Sequence, residues 1–183
     1  MSSFAHQTYM RTWAINLKVP IVSVDYGKAP EHPYPNGLHD CFEGYLWTLY
    51  IFRQIFDVEP RRVILVGDSA GGNLVAALTN LLIEMKLQKP DGIVLVYPAL
   101  NLNYNDYTPS LLTALNDMIL PHTFLKICLS AYIQGDQHPE KDYLLSPIQT
   151  PGWILDQYPP TEIYVGSKDP FHDDCCRLTE KIK

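Results

Sequence analysis

The chain has 183 residues, of which 46% are hydrophobic and 19% are charged, a composition typical of a folded domain and not of a disordered segment. Its net charge of −6 argues against a nucleic-acid partner, because nucleic-acid-binding proteins normally carry a basic stripe. No apolar run approaches the roughly 18 residues that span a bilayer, and the first residues lack the basic and apolar regions of a signal peptide. We therefore expect a soluble cytoplasmic protein without a transmembrane segment, with peripheral association with lipid left open.

The first half of the chain predicts a strand, a loop and a helix. Residues 19–26, "VPIVSVDY", are short, apolar and β-branched, which predicts a strand. The stretch "GKAPEHPYPNG" is dense in proline and glycine and predicts a structured loop. Apolar residues then recur at steps of three and four from Leu38 to Phe56, which predicts an amphipathic helix with its N-cap at Asn36.

Strands and helices alternate through the rest of the chain. We predict strands over 61–67, 91–99 and 161–169, and helices over 70–86 and 173–183. This alternation is the signature of βαβ units, so the predicted fold class is α/β with a mostly parallel sheet in one domain, residues 1–183. Because the strands are continuously apolar, we expect helices on both faces of the sheet.

A long insert, residues 99–160, separates the third and fourth predicted strands and contains a helical stretch near 121–134. An insert of this length inside a compact α/β domain often forms a lid or a pocket wall, and ordinary surface decoration is the alternative. Four cysteines, Cys41, Cys128, Cys175 and Cys176, have neither a zinc spacing nor a disulfide pattern. We expect them to be buried, reduced thiols.

The stretch "VILVGDSAGGNL" carries the strongest functional signal, because Gly67-Asp68-Ser69-Ala70-Gly71 matches G-x-S-x-G between a predicted strand and a predicted helix. In such a turn a serine adopts a strained backbone, and its hydroxyl projects from the sheet as a nucleophile. We expect the small residues Gly67 and Gly71 to let strand and helix approach around this turn, in which Gly72 follows Gly71. The Ala70 N–H could then donate to an oxyanion. A glycine-rich turn that touches phosphate is the alternative, but neither G-x-G-x-x-G nor G-K-[ST] is present.

Three motifs in order, "DYGKAPEHPYP", "GDSAGGN" and "SKDPFHDD", resemble the hormone-sensitive-lipase-like branch of the α/β-hydrolases. The resemblance implies the α/β-hydrolase fold, with a mostly parallel central sheet flanked by helices. It also implies hydrolysis of a small ester or lipid substrate without a metal or cofactor. Carried over, Ser69 is the nucleophile and Asp169 the triad acid. Asp25, Tyr26 and Glu31 match the first motif, and we interpret them as structural.

Asp169 is also a candidate from its own position, because it follows an apolar strand and precedes Pro170, which disfavours helix. Catalytic groups of open α/β sheets gather at such strand ends. An aspartate in a turn or a helix cap is the alternative interpretation.

The histidine of a Ser–acid–His triad has no clear candidate. Of the six histidines only His172 follows Asp169, and three residues of separation make it a poor bridge from that acid to Ser69. The family has its histidine after one more strand and an H-G-G-G oxyanion loop upstream, so we expect a chain that is incomplete at both ends. A non-catalytic ligand-binding homologue and an inactive truncated product are the rival interpretations.

Overall fold

The computed structural model describes residues 3–103, 105–115 and 117–183, with side chains from His6 onward. Its elements in chain order are α1 (Ser3–Leu17), α2 (Asn36–Tyr50), α3 (Phe52–Phe56), β1 (Ile64–Asp68), α4 (Ala70–Glu84), β2 (Gly92–Val96), α5 (Pro109–Thr113), α6 (His122–Tyr132), α7 (Gly152–Leu155), β3 (Thr161–Tyr164) and α8 (His172–Ile182). No helix within these residues is both long and apolar enough to cross a membrane.

The three strands form a parallel sheet in the order β1-β2-β3. Val66 is paired in register with Val94, and Val94 with Glu162. Helix α4 connects β1 to β2 and packs on both strands. The predicted α/β alternation and the parallel sheet are therefore confirmed for these strands.

Helices pack on one face of the sheet. Ile93 and Leu95 of β2 are buried there, in one cluster with Ala76 of α4 and Leu178 of α8. On the opposite face, Ile64 and Val66 of β1 are each 51% exposed. The expected helices on both faces are thus found on only one face among the described residues.

The first predicted strand, residues 19–26, is wrong as a strand. A strand needs a neighbour along which its backbone can form hydrogen bonds, and no described strand lies beside this segment. Two of its side chains lie against helix α2, where Val24 packs over Gly44 and Tyr26 packs against Gly37. Val19, Ile21 and Val22 are exposed, although the residue composition of the segment is typical of a strand.

The helix predicted from Asn36 to Phe56 exists in two parts and without the predicted cap. Asn36 is the first helical residue, Pro35 holds the cap position, and the Asn36 side-chain amide donates to the Pro33 carbonyl at 2.8 Å. The helix breaks at Ile51, which lies between α2 and α3. Tyr45, before the break, and Phe52, after it, are both buried, which shows that the apolar face continues across the break.

The insert of residues 99–160 shares the hydrophobic core with the rest of the chain. Leu100, Leu145 and Ile148 are buried in the same cluster as β2 and α8. The Tyr34 hydroxyl donates to the Asp142 carboxylate at 2.8 Å and links the insert to the proline-rich loop. The insert is therefore packed against the domain at several points.

All four cysteines are free thiols, as the sequence predicts, but they are not all buried. Cys175 is buried and Cys41 is half-buried, whereas Cys128 and Cys176 are exposed. The prediction of burial is wrong for these last two. Both lie on amphipathic helices, α6 and α8, on the sides that face away from the core.

Candidate active site

Ser69 occupies the turn between β1 and α4 with φ 54° and ψ −117°. A residue with a side chain rarely adopts this conformation, which costs of order 1–3 kcal/mol and persists only where the surrounding structure imposes it. The strained backbone predicted at Ser69 is therefore present in the structure.

Hydrogen bonds hold both polar groups of the Ser69 backbone. Its N–H donates to the Val96 carbonyl at 2.9 Å, at the end of the neighbouring strand. Its carbonyl accepts from the N–H groups of Asn73 and Ala99, each at 3.2 Å. The turn is thus fastened to the first turn of α4 and to the loop that follows β2.

Two glycines allow the strand and the helix to approach each other at this turn. A Cβ on Gly67 would lie 2.2 Å from the Gly71 carbonyl oxygen. A Cβ on Gly72 would lie 2.7 Å from the Cβ of Pro98. At Gly71 the nearest atom to an added Cβ is an Asp68 carboxylate oxygen at 4.0 Å, so there a side chain would fit. The tight positions are therefore 67 and 72. The expected close approach is confirmed at Gly67 and wrong at Gly71, where the space beside the backbone is open.

The Ala70 N–H is available to a ligand. Ala70 is the first residue of the 15-residue helix α4 and is exposed. No described residue accepts a hydrogen bond from its N–H. The first N–H groups of a helix lack partners within the helix and lie at the positive end of its dipole, so this group can stabilise an oxyanion beside Ser69.

Asp169 lies in the loop between β3 and α8, five residues beyond the end of the strand at Tyr164. One of its carboxylate oxygens accepts from the Phe171 N–H at 2.8 Å. Burial raises the pKa of Asp169, the negative charge of Asp117 acts in the same direction, and the Phe171 N–H and the charge of His172 oppose the shift. Because Asp117 belongs to the insert, residues of the insert lie near the predicted acid.

His172 does not connect Asp169 to Ser69. Its Nδ1 lies 3.4 Å from the Asp173 carboxylate and 3.9 Å from the Cys176 sulfur. Within the described residues, no side chain forms a hydrogen bond with the Ser69 hydroxyl. The structure therefore brings the Ser69 turn and the Asp169 loop to the same end of the sheet, and among the described residues no histidine side chain is hydrogen-bonded to the side chain of Ser69 or Asp169.

The sequence analysis missed Tyr9 and Tyr97, which interact electrostatically with each other, Tyr9 also interacting with Asp68 in the Ser69 turn. Burial raises the pKa of the Tyr9 phenol, and the neighbouring Asp68 and Tyr97 raise it further. The charge of Asp68, in the turn, therefore acts on a side chain of helix α1. No local pattern could have revealed this interaction, because Tyr9 is distant in sequence from both Asp68 and Tyr97.

Comparison with known proteins agrees with this geometry. The family described as alpha/beta hydrolase fold matches residues 1–183. The hormone-sensitive lipase of Ictidomys tridecemlineatus is 38% identical over 143 residues, which cover 77% of this chain and 18% of that protein. An esterase of Acinetobacter venetianus is 32% identical over 178 residues, which cover 97% of this chain and 55% of that protein.

A solved structure of the same kind is the hyperthermophilic esterase from the archaeon Pyrobaculum calidifontis. It superposes with a TM-score of 0.91 at 26% sequence identity, and the match covers 100% of this chain and 58% of that chain. This chain thus spans little more than half the length of the two esterases, and less than a fifth of the lipase. With its parallel sheet, its strained serine and these relatives, the chain belongs to the alpha/beta hydrolase family, as a homologue of the hormone-sensitive lipases.

Proposed function

We propose that this chain carries the nucleophile and the acid of a serine hydrolase of carboxylic esters, Ser69 and Asp169. The observation that supports this most directly is the strained backbone of Ser69, next to an unpartnered N–H at Ala70. The printed names of the relatives, lipase and esterase, support the same class of substrate.

In this proposal Ser69 attacks the ester carbonyl and forms an acyl-enzyme, which water then hydrolyses. The Ala70 N–H donates to the oxyanion of the tetrahedral intermediate. A histidine takes the serine proton, and Asp169 orients that histidine. Because the His172 ring contacts Asp173 and Cys176, the proposal does not assign this role to His172.

We further propose that the insert, residues 99–160, forms part of the substrate pocket within the single domain of residues 1–183. The charge of Asp117 acts on Asp169, and the Ser110 hydroxyl donates to the Pro170 carbonyl at 2.9 Å. The insert therefore reaches the loop of the predicted acid. This hydrogen bond and this electrostatic effect fit a pocket wall better than surface decoration remote from the site.

The four free thiols support a reducing compartment for the described part of the chain, and we propose that the protein acts in the cytoplasm. The net charge of −6 argues against a nucleic-acid partner, and the printed names of the relatives support a small ester or lipid as the substrate. No metal or cofactor takes part in the proposed reaction.

A second candidate function is the binding of a small ligand without hydrolysis. The observation that favours it is the free Ser69 hydroxyl, which no described side chain contacts through a hydrogen bond. Without a proton acceptor the turn and its N–H groups would still bind a carbonyl or carboxylate group. Binding without turnover would distinguish this candidate from the first.

The test is hydrolysis of p-nitrophenyl butyrate by the 183-residue chain, compared with Ser69→Ala. We expect the variant to lose the release of nitrophenolate by about 100-fold or more, because the nucleophile is gone. Ser130→Ala is the matched control, since Ser130 is exposed and its hydroxyl bonds only to the Ile127 carbonyl. Mass spectrometry should find the acyl group on the peptide that contains Ser69.

Equal rates for the wild-type chain and Ser69→Ala would contradict the proposal for this chain. If p-nitrophenyl butyrate or butyrate then bound without release of product, and Ser69→Ala weakened that binding, the ligand-binding candidate would replace it. Acylation found on any residue other than Ser69 would contradict the assignment of the nucleophile.

A further inference from the structure

A closed set of hydrogen bonds joins the Ser69 turn to Asn73 and Ala99. The backbone N–H groups of Asn73 and Ala99 both donate to the Ser69 carbonyl, each at 3.2 Å. The Asn73 side-chain amide in turn donates to the Ala99 carbonyl at 2.8 Å. These three bonds form a ring, in which the Asn73 side chain supplies the link from the helix to the loop.

The ring includes the backbone carbonyl of Ser69, the residue whose backbone is strained. Ser69 keeps its φ of 54° and ψ of −117° only while neighbouring groups impose that conformation. The loop after β2 supplies one of the two N–H groups on the Ser69 carbonyl. Without the Asn73 amide, the Ala99 N–H would supply the one remaining hydrogen bond of this ring between the loop and the turn.

The Asn73 amide makes a second bond that no carboxylate could make. Its other hydrogen is donated to the Leu145 carbonyl at 3.0 Å, on the returning part of the insert. Asn73 is 3% exposed, so both carbonyls would lose a buried donor if the side chain were removed. An aspartate of the same shape only accepts hydrogen bonds when ionised and could replace neither.

Asn80 offers a matched comparison on the same side of helix α4, seven residues later. It is fully buried, and its amide donates to the Tyr143 carbonyl at 2.9 Å and to the Thr150 hydroxyl at 2.8 Å. It also accepts from the Tyr158 hydroxyl at 2.6 Å. Asn80 thus links the same helix to the same insert, without a contact to the Ser69 turn.

We propose that Asn73 is a positioning residue for the nucleophile. Its side-chain amide holds the loop at Ala99 against the turn and thereby keeps the Ser69 backbone in the conformation that presents the hydroxyl. The expected effect of Asn73 on the reactivity of Ser69 rests on the proposed function. Its expected effect on hydrogen exchange at the Ala99 amide depends only on the hydrogen bonds described above.

The experiment compares Asn73→Ala with Asn80→Ala in three measurements on the full chain. The first is the rate at which diisopropyl fluorophosphate labels Ser69, followed by mass spectrometry. The second is hydrogen exchange at the Ala99 amide, and the third is the midpoint of urea unfolding. We expect Asn73→Ala to slow labelling and to speed exchange at Ala99 by about 10-fold or more each, since small misplacements of reacting groups have large effects.

For Asn80→Ala we expect a similar loss of stability, but labelling and Ala99 exchange within about twofold of the wild-type values once global unfolding is taken into account. If Asn73→Ala shows no cooperative unfolding, Asn73→Ser and Asn80→Ser, which keep one donor each, replace the pair. Equal effects of the two substitutions, or no effect of Asn73→Ala on both readouts, would overturn the inference. Absence of labelling in the wild-type chain would count against the proposed function alone, because the exchange measurement still tests Asn73.

Discussion

Replacing Gly67 by alanine is expected to destabilise the chain by about 3 kcal/mol or more, at the upper end of what overpacking costs. The added Cβ would lie 2.2 Å from the carbonyl oxygen of Gly71 and 2.4 Å from its carbonyl carbon. Both atoms belong to the backbone of helix α4, so no side chain can rotate away. The helix and the strand would have to separate at the turn that carries Ser69.

The matched control is Gly71→Ala, four residues away in the same turn. Its Cβ would meet nothing closer than an Asp68 carboxylate oxygen at 4.0 Å. Because alanine is favoured over glycine inside a helix by up to about 1 kcal/mol, this variant should be as stable as the wild-type chain or slightly more so. Urea unfolding of the three proteins, followed by circular dichroism, measures both differences. A stable Gly67→Ala, or two variants destabilised equally, would show that close contact does not explain the glycine at position 67.

The free energy of unfolding is expected to depend on pH through the Asp174 carboxyl in helix α8. This carboxyl is 5% exposed. Burial raises its pKa from an ordinary value of 3.8 to about 6, Asp106 contributes to the rise, and Arg177 and Asn101 oppose it. The folded chain therefore holds the Asp174 proton more tightly than the unfolded chain does.

The sign of the effect follows from linkage. Below an ordinary carboxyl pKa, Asp174 is protonated in both states, and its contribution to stability is fully present. As the pH rises through about 6, ionisation of the buried group removes that contribution. We expect the wild-type chain to lose about 2 to 3 kcal/mol relative to Asp174→Asn between about pH 4 and about pH 8.

The measurement is the difference in unfolding free energy between the wild-type chain and Asp174→Asn at a series of pH values. Asp117, Glu140 and Asp173, whose pKa values are lowered, act in the opposite direction on each protein. They cancel in the difference because both proteins contain them. A difference that stays constant with pH, or that grows in favour of the wild-type chain at high pH, would contradict the prediction.

The sequence by itself determined the elements that local patterns encode. The apolar runs around Val66, Leu95 and Ile163 are strands of the parallel sheet, and the periodic stretch from Ala70 is a helix. The G-x-S-x-G pattern identified the turn in which Ser69 is strained. These features could be predicted because propensity, periodicity and turn geometry depend on residues that are close in sequence.

Long-range contacts determined the rest. Residues 19–26 have the composition of a strand, yet only the arrangement of β1, β2 and β3 shows that no described strand pairs with them. The charge of Asp68 acts on Tyr9, and the Asn73 amide donates to a carbonyl 72 residues away at Leu145. Such interactions form where segments distant in sequence pack together, and the residues that flank each partner contain no local pattern that predicts them. The sequence therefore determined which residue is strained, and only the tertiary structure decided which groups hold it in that state.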